Sequence, residues 1–476
     1  MSELSKNISE YLLSVFGAEY LDNFKKFVEQ DHVQYLRAAG EDTDILITSL
    51  EKYGIKLEQH PSVAAAYKVT SGSDVTGKTV DYTIGRYYIQ SLSSMIPPIV
   101  LDPAPGDKVL DMCGAPGSKS TQLSELMGGK GTLYTNEPNN SRIKSLVYNI
   151  ERHGFTNFGV LRSKGELLSK MYTNYFDKIL VDAPCSGLGI VQKKGEVSSW
   201  WNRKHVDRIS DTQMRLLISA IKSARVGGEI VYSTCTLTVE ENELLLDRVI
   251  KKYPVELADI ELPVNSHPGF TCYEDLELNP MLSKSRRIIP WEINSEGFFI
   301  AKLIKTAGID SAKENGYRKK PQTIRLLNPA DKNIVNYLKQ LTDRFGFPAE
   351  IFDEYKYFRK TNALHFVQRD WSATDLNPFV KIGMKFASID KRDMCILHPL
   401  AAKILGKFAA RNVIEISEKE DIKKYLSGEI IKRINDRKGT QIIKYNGLSL
   451  GTASASEEGL KSRFPRAMRT HEIVFS

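Results

Sequence analysis

From residue 108 onward the chain repeats one unit: a short apolar run, a loop carrying glycine, proline, cysteine or an acid, then a longer helical stretch. Residues 108–113, 132–137, 158–161, 176–182 and 228–233 read as five strands, and residues 210–225 as the helix before the last of them. Strands separated by crossovers of this length pair in parallel, with helices over both faces. The predicted fold is therefore a doubly wound, Rossmann-like α/β sheet. In such sheets ligands collect beyond the carboxyl ends of the strands, where the strand order reverses.

The first strand runs into Cys113-Gly114-Ala115-Pro116-Gly117-Ser118-Lys119, a glycine-rich turn opening a helix. Its glycines permit close backbone approach, and a helix amino terminus offers free N–H groups to an anion. The spacing is neither that of a P-loop nor that of a dinucleotide fingerprint. The second strand ends in Glu137, suited to accept hydrogen bonds from ribose hydroxyls, although a helix-start carboxylate is the plainer alternative. Loop and acid together point to an adenosine-bearing cofactor. Asp182 and Cys185 follow the fourth strand, and Cys235 follows the fifth. One buried cysteine is commonly inert packing, but two at neighbouring strand ends beside a carboxylate read as chemistry.

The remaining features narrow the class. Five cysteines (Cys113, Cys185, Cys235, Cys272, Cys395) make no C-x-x-C pair and the eight histidines show no metal spacing, so free thiols and no metal are expected. An amino terminus without a basic start or continuous apolar stretch, and the lack of any membrane-length apolar run, predict a cytoplasmic protein. Residues 1–310 carry 35 Lys and Arg against 39 Asp and Glu, whereas residues 311–476 carry 31 against 19. The cationic surplus thus belongs to the last third, which fits a polyanion partner there or a merely solvated basic surface.

Four units are expected. Residues 1–80 form a small helical module, with Ile8, Tyr11, Leu12, Val15 and Phe16 at helical spacing and Phe24, Phe27 and Val28 after them. Residues 81–308 form the α/β domain, and residues 309–322, polar and aperiodic, a linker. A small α+β module over 323–385 and a second over 386–476 follow, the latter with a hairpin turn at Asn446-Gly447.

At this point the segments DMCGAPGSKSTQ, NEPNNSRIK, DAPCSG and GGEIVYSTCTLTVEENE, in this order, resemble the motifs of the NOL1/NOP2/Sun family of RNA cytosine-5 methyltransferases. The resemblance spans roughly residues 80–305. The Gly-Ser-Lys loop end, together with YNGLSLGTAS and LKSRFPR near the carboxyl terminus, is similar to the RsmF-like (YebU-like) subgroup, which modifies small-subunit ribosomal RNA and carries a PUA-like extension. The resemblance implies S-adenosylmethionine as cofactor and RNA as partner, ribosomal RNA or the small subunit before tRNA; a monomer is expected. It places Cys235 at the nucleophile position, Cys185 where product release is assisted, and Asp182 at the cytosine. Residues 113–119, Glu137 and Arg142 fall at the cofactor, where Asp182 also belongs. Lys164-Gly165 stands where the family has Asp-Gly reading the adenine edge.

The reaction itself asks for such groups. Carbon 5 of cytosine is a poor nucleophile until a thiolate adds to carbon 6. A carboxyl group at N3 stabilises that addition, and the base must be single-stranded or flipped from its stack to be reached. A DNA cytosine-5 methyltransferase would use Pro184-Cys185 as nucleophile and would not need Cys235. A non-catalytic RNA-binding assembly factor would have lost Cys235 or Asp182, and both are present.

Overall fold

The computed structural model describes residues 4–38, 42–309, 324–432 and 438–475. Helices α1 (Lys6–Phe16) and α2 (Ala18–Glu29) open the chain; Ser5 caps α1 by accepting from Ile8 N. Their apolar stripes pack on Leu188, Val191, Val197, Trp201 and Leu237, so they lie against the loops that follow Cys185 and Cys235. The expected all-helical module instead contains a four-stranded antiparallel sheet, in the order Lys56–Gln59, Ala66–Ser71, Tyr35–Arg37 and Tyr88–Ile89. Its last strand lies beyond the expected limit at residue 80. Two of its strands have only three and two residues, too short to show a period. Buried Arg37 joins this unit to the next, bonding Glu125 at 2.7 Å, Thr121 at 2.8 Å and the Ser118 carbonyl at 2.7 Å.

The central sheet is the doubly wound sheet expected. After α3 (Leu92–Leu101) come β1 (Lys108–Asp111), α4 (Ser118–Leu126), β2 (Thr132–Asn136), α5 (Asn140–His153), β3 (Phe158–Leu161), β4 (Phe176–Asp182), α6 (Arg203–Ser223), β5 (Ala224–Thr234), α7 (Glu243–Ile250) and β6 (Phe298–Lys305). The parallel order is β3-β2-β1-β4-β5, with β6 antiparallel on β5. Strand order reverses between β1 and β4. Val109, Leu133, Val160, Leu180 and Val231 feed the core on one face; Leu110, Tyr134, Leu161, Ile179, Val181 and Ile230 feed the other. Both faces are covered, which is why these strands read as nearly unbroken apolar runs. Each large aliphatic side chain fully buried in this way contributes about 1.5–3 kcal/mol.

The linker expected over 309–322 lies, apart from Ile309, outside the described residues. Beyond it, the boundary expected at 385/386 falls inside a strand, Met384–Ile389, of a four-stranded sheet. Just before it, β7 (Phe379–Ile382) pairs antiparallel with β3 and closes the outer edge of the central sheet. Gly159 of β3 is a glycine for this reason: a Cβ there would lie 2.5 Å from the Phe379 ring and 2.7 Å from that of Trp371. Helix α8 (Pro399–Leu405) sets Lys403 on the end of α5, donating to the Arg152 carbonyl. The hairpin forms as expected, with Tyr445 opposite Leu448 and positive φ at both Asn446 and Gly447.

Candidate active site at the strand ends

The loops leaving β1, β4 and β5 converge. Cys185 Sγ lies 2.9 Å from Cys235 Sγ, and both are half-buried free thiols. The hydrogen bond to Cys235, and then burial, push the Cys185 thiol well above its usual value.

The backbone around the two sulfurs is tied on both sides. Gln213 Nε2, from α6, donates to the Pro184 carbonyl at 2.8 Å, and Ser186 N donates to the Glu241 carboxylate at 2.9 Å. That carboxylate also accepts from Gln213 Nε2 and Thr238 Oγ1, both at 2.8 Å. Burial raises its pKa. The Cys235 carbonyl accepts from Gly189 N at 3.1 Å, and Asn242 Nδ2 donates to the Thr236 carbonyl at 3.2 Å.

Asp182 closes β4. Ser233 Oγ donates to one of its oxygens at 2.9 Å and Lys119 Nζ to the other at 2.7 Å. Lys119 also donates to Ser94 Oγ at 2.9 Å and lies over the Phe298 ring. Burial works against its charge, but Asp182 prevails and holds the ammonium above its ordinary value. Lys119, expected among the cofactor contacts, is paired with Asp182, itself expected at both the cytosine and the cofactor, because a buried ammonium needs a paired carboxylate.

Gly114 N donates to the Asn136 carbonyl at 2.9 Å, and a Cβ on Gly114 would sit 2.0 Å from Thr135 Oγ1. Gly117, at φ +112°, takes a conformation that side chains resist. The Ala115 carbonyl accepts from Arg142 Nη2 at 2.7 Å and the Pro116 carbonyl from Asn149 Nδ2 at 2.8 Å. Burial, then Asp111, Asp182 and Glu137, raise the Cys113 thiol and keep it protonated. Ser118 starts α4. Glu137 is buried, accepting from Asn139 N at 2.8 Å and pairing with Arg142 at 3.1 Å. Lys164 is exposed; its carbonyl accepts from Leu167 N at 2.9 Å.

Sequence reasoning missed Glu241, Gln213 and Asn136. Asn136 ties three strand ends, donating to the Met112 and Ser163 carbonyls and accepting from Ser163 N. The one available signal was the Glu240-Glu241-Asn242-Glu243 run, which looks like a solvated face yet buries its last three members. Among the described residues no cluster of three or more His, Cys, Asp and Glu is placed to hold a metal ion. Nor is any helix there long and apolar enough to cross a membrane.

Residues 98–304 match the family described as 16S rRNA methyltransferase RsmB/F, and residues 411–470 match the methyltransferase RsmF PUA domain. A methyltransferase sheet joined to a PUA domain defines an S-adenosylmethionine-dependent RNA methyltransferase. The chain is similar to the ribosomal RNA small subunit methyltransferase F of Shewanella piezotolerans, 31% identical over 95% of this chain and 91% of that one. It belongs to the RsmB/F family, in the RsmF branch that carries the PUA domain. It is also similar to the 26S rRNA (cytosine-C(5))-methyltransferase nsun-1 of Caenorhabditis elegans, 37% identical over 52% of this chain and 38% of that one. Among solved structures, a methyltransferase homologue from Pyrococcus horikoshii superposes with a TM-score of 0.56 at 29% identity, covering 63% of this chain and all of that one.

Proposed function

We propose that the protein methylates carbon 5 of a cytosine in small-subunit ribosomal RNA through a covalent adduct with Cys235. The contact between the Cys185 and Cys235 thiols beside Asp182 carries this reading. Full-length similarity to a small-subunit rRNA methyltransferase supports the substrate.

The residues present fit S-adenosylmethionine, whose sulfonium supplies an electrophilic methyl. A carboxylate has about four lone-pair sites, and Glu137 uses its oxygens on one amide and on Arg142, whose side chain is 57% exposed. Acceptor sites for ribose hydroxyls remain on this buried carboxylate, which the exposed Arg142 side chain borders. The turn from Cys113 to Ser118 lies beside Glu137 at the switch point, the place for the methionine and adenosine moieties.

With Cys185 held as a thiol, Cys235 attacks as its thiolate. Its electron pair forms the bond to carbon 6 while charge moves to N3 and the O2 carbonyl; Asp182, held by Lys119 and Ser233, orients the base by accepting from its exocyclic amine. Carbon 5 then takes the methyl. Cys185 then passes its thiol proton to the departing Cys235 sulfur, 2.9 Å away, and takes up the carbon 5 proton, whose C–H electrons restore the ring as the carbon 6–sulfur bond breaks. The exposed basic residues Arg463, Arg466 and Arg469 of the PUA unit dock the RNA.

Bisulfite sequencing of RNA from cells with and without the gene tests this. A small-subunit rRNA cytosine losing its modification is expected; loss confined to tRNA overturns the substrate reading.

A further inference from the structure

We propose that Glu241 is a positioning residue for release of the methylated RNA: together with Gln213 it grips the chain on both sides of Cys185 and so fixes that sulfur against Cys235. The inference rests on the covalent reading above.

The geometry is specific. Gln213 holds the carbonyl before Cys185, Glu241 holds the amide after it, and Gln213 and Glu241 are bonded to each other at 2.8 Å. Through Thr238 the same carboxylate reaches the loop that carries Cys235, and Ser186 Oγ meets Thr236 Oγ1 at 2.9 Å to complete the bridge. Tyr232 donates to the Glu241 carbonyl at 2.7 Å, anchoring the clamp to β5. Two loops from different strands are thus registered by one side chain.

Its charge calls for an explanation beyond packing. The buried carboxylates Glu243, Glu296 and Glu137 each have a cation, Arg287, Lys193 and Arg142, whereas Glu241, like Asp111, is fully buried with no ion pair among the described residues. An uncompensated buried carboxylate is costly, and a neutral amide could make most of these bonds more cheaply. The titratable groups facing Cys185 are Cys235, Glu241 and Tyr232, while Lys119 and Asp182 lie on the Cys235 side. The Glu241 carboxylate adds to the Cys235 hydrogen bond and the burial that hold the Cys185 thiol high.

Three variants test this in the full-length enzyme, using a methylatable RNA and following formation and decay of the denaturation-resistant adduct. In Glu241→Ala the grip is lost, and adduct decay should slow by roughly 10- to 100-fold, the cost of misplacing a reacting group by about an ångström. Cofactor binding should be unchanged. Glu241→Gln keeps the size and most bonds but removes the charge. Decay should be restored, with its pH dependence moved acidward by roughly half a unit or more. Gln213→Ala frees the carbonyl before Cys185 and should slow decay even if Glu241→Ala does not fold. Wild-type decay and pH dependence in Glu241→Gln and Gln213→Ala, whatever their melting temperatures, would make Glu241 structural only. Cys185→Ala is the control: if it accumulates no adduct the covalent reading itself fails, and if it does while the clamp variants behave as wild type, only the present inference falls.

Discussion

The sulfurs of Cys185 and Cys235, 50 residues apart in the chain, stand 2.9 Å apart. Their proposed duties fall on opposite sides of methyl transfer, so the two alanine variants should differ in kind. Cys235→Ala should give neither methylation nor adduct, because carbon 5 is never activated. Cys185→Ala should methylate once and remain attached to its RNA on denaturing electrophoresis. Both remove the same small side chain, so packing alone predicts matching, modest destabilisation and no adduct difference. The reverse pattern would move the nucleophile to Cys185.

Glu137 should govern cofactor affinity. Isothermal titration of Glu137→Ala with S-adenosylmethionine should show a loss of about 1.5–3 kcal/mol, that of a charged hydrogen-bond acceptor. Lys164→Ala, at an exposed position, should change it little. Equal losses in both would displace the ribose from Glu137.

Lys119 offers a test of what the glycine loop does. Because its ammonium is spent on Asp182 and Ser94, Lys119→Met should leave cofactor affinity within about threefold yet lower the methylation rate by roughly 100-fold, near 2.7 kcal/mol in the barrier. A cofactor dissociation constant that rises in step with the rate loss would return Lys119 to the cofactor.

Arg463, Arg466 and Arg469 are exposed on the PUA unit. Replacing all three with Ala should weaken RNA binding and reduce the slope of log affinity against log salt by up to about 0.9 for each phosphate no longer neutralised. Cofactor titration should not change. An unaltered salt slope would show that the RNA runs elsewhere.

Lys403 packs on the end of α5, and desolvation of its ammonium, then Arg152, pull its pKa down to about 7. A base depressed on folding makes stability rise with pH between the folded and unfolded values, here from about 7 toward the usual lysine value near 10.4. Lys403→Met should remove that rise and increase the melting temperature at pH 6 by a few degrees, as about 1–2 kcal/mol would. Thermal denaturation from pH 6 to 9 reads it. A variant that keeps the wild-type slope would assign the pH dependence to other groups.

The sheet, its strand-end loops and the family were legible because they are written locally: apolar runs closed by GAPGSK, DAPC and STCT. What escaped was relational. That Lys119 turns to Asp182 depends on which strand lies beside β1, and that Glu241 is buried depends on Gln213 and Ser186 arriving from elsewhere. The amino-terminal sheet escaped because Tyr35–Arg37 and Tyr88–Ile89 are too short to show alternation. The unit boundary expected at 385/386 was misplaced because the strand it cuts, Met384–Ile389, pairs with Ala363–Gln368 before it and Cys395–Leu397 after it.

That late pairing has a consequence for how the protein is made. At a synthesis rate of roughly 5–20 residues per second, some 10–40 s separate the emergence of β3 from that of β7. During this interval the catalytic sheet stands with a bare backbone edge, open to pairing with any passing strand. A nascent chain stalled before Phe379 would therefore hold every catalytic side chain and still be sticky. The substitutions most damaging to yield in the cell need not touch the chemistry; Gly159, whose lack of a side chain admits Phe379 and Trp371, is where such damage would begin.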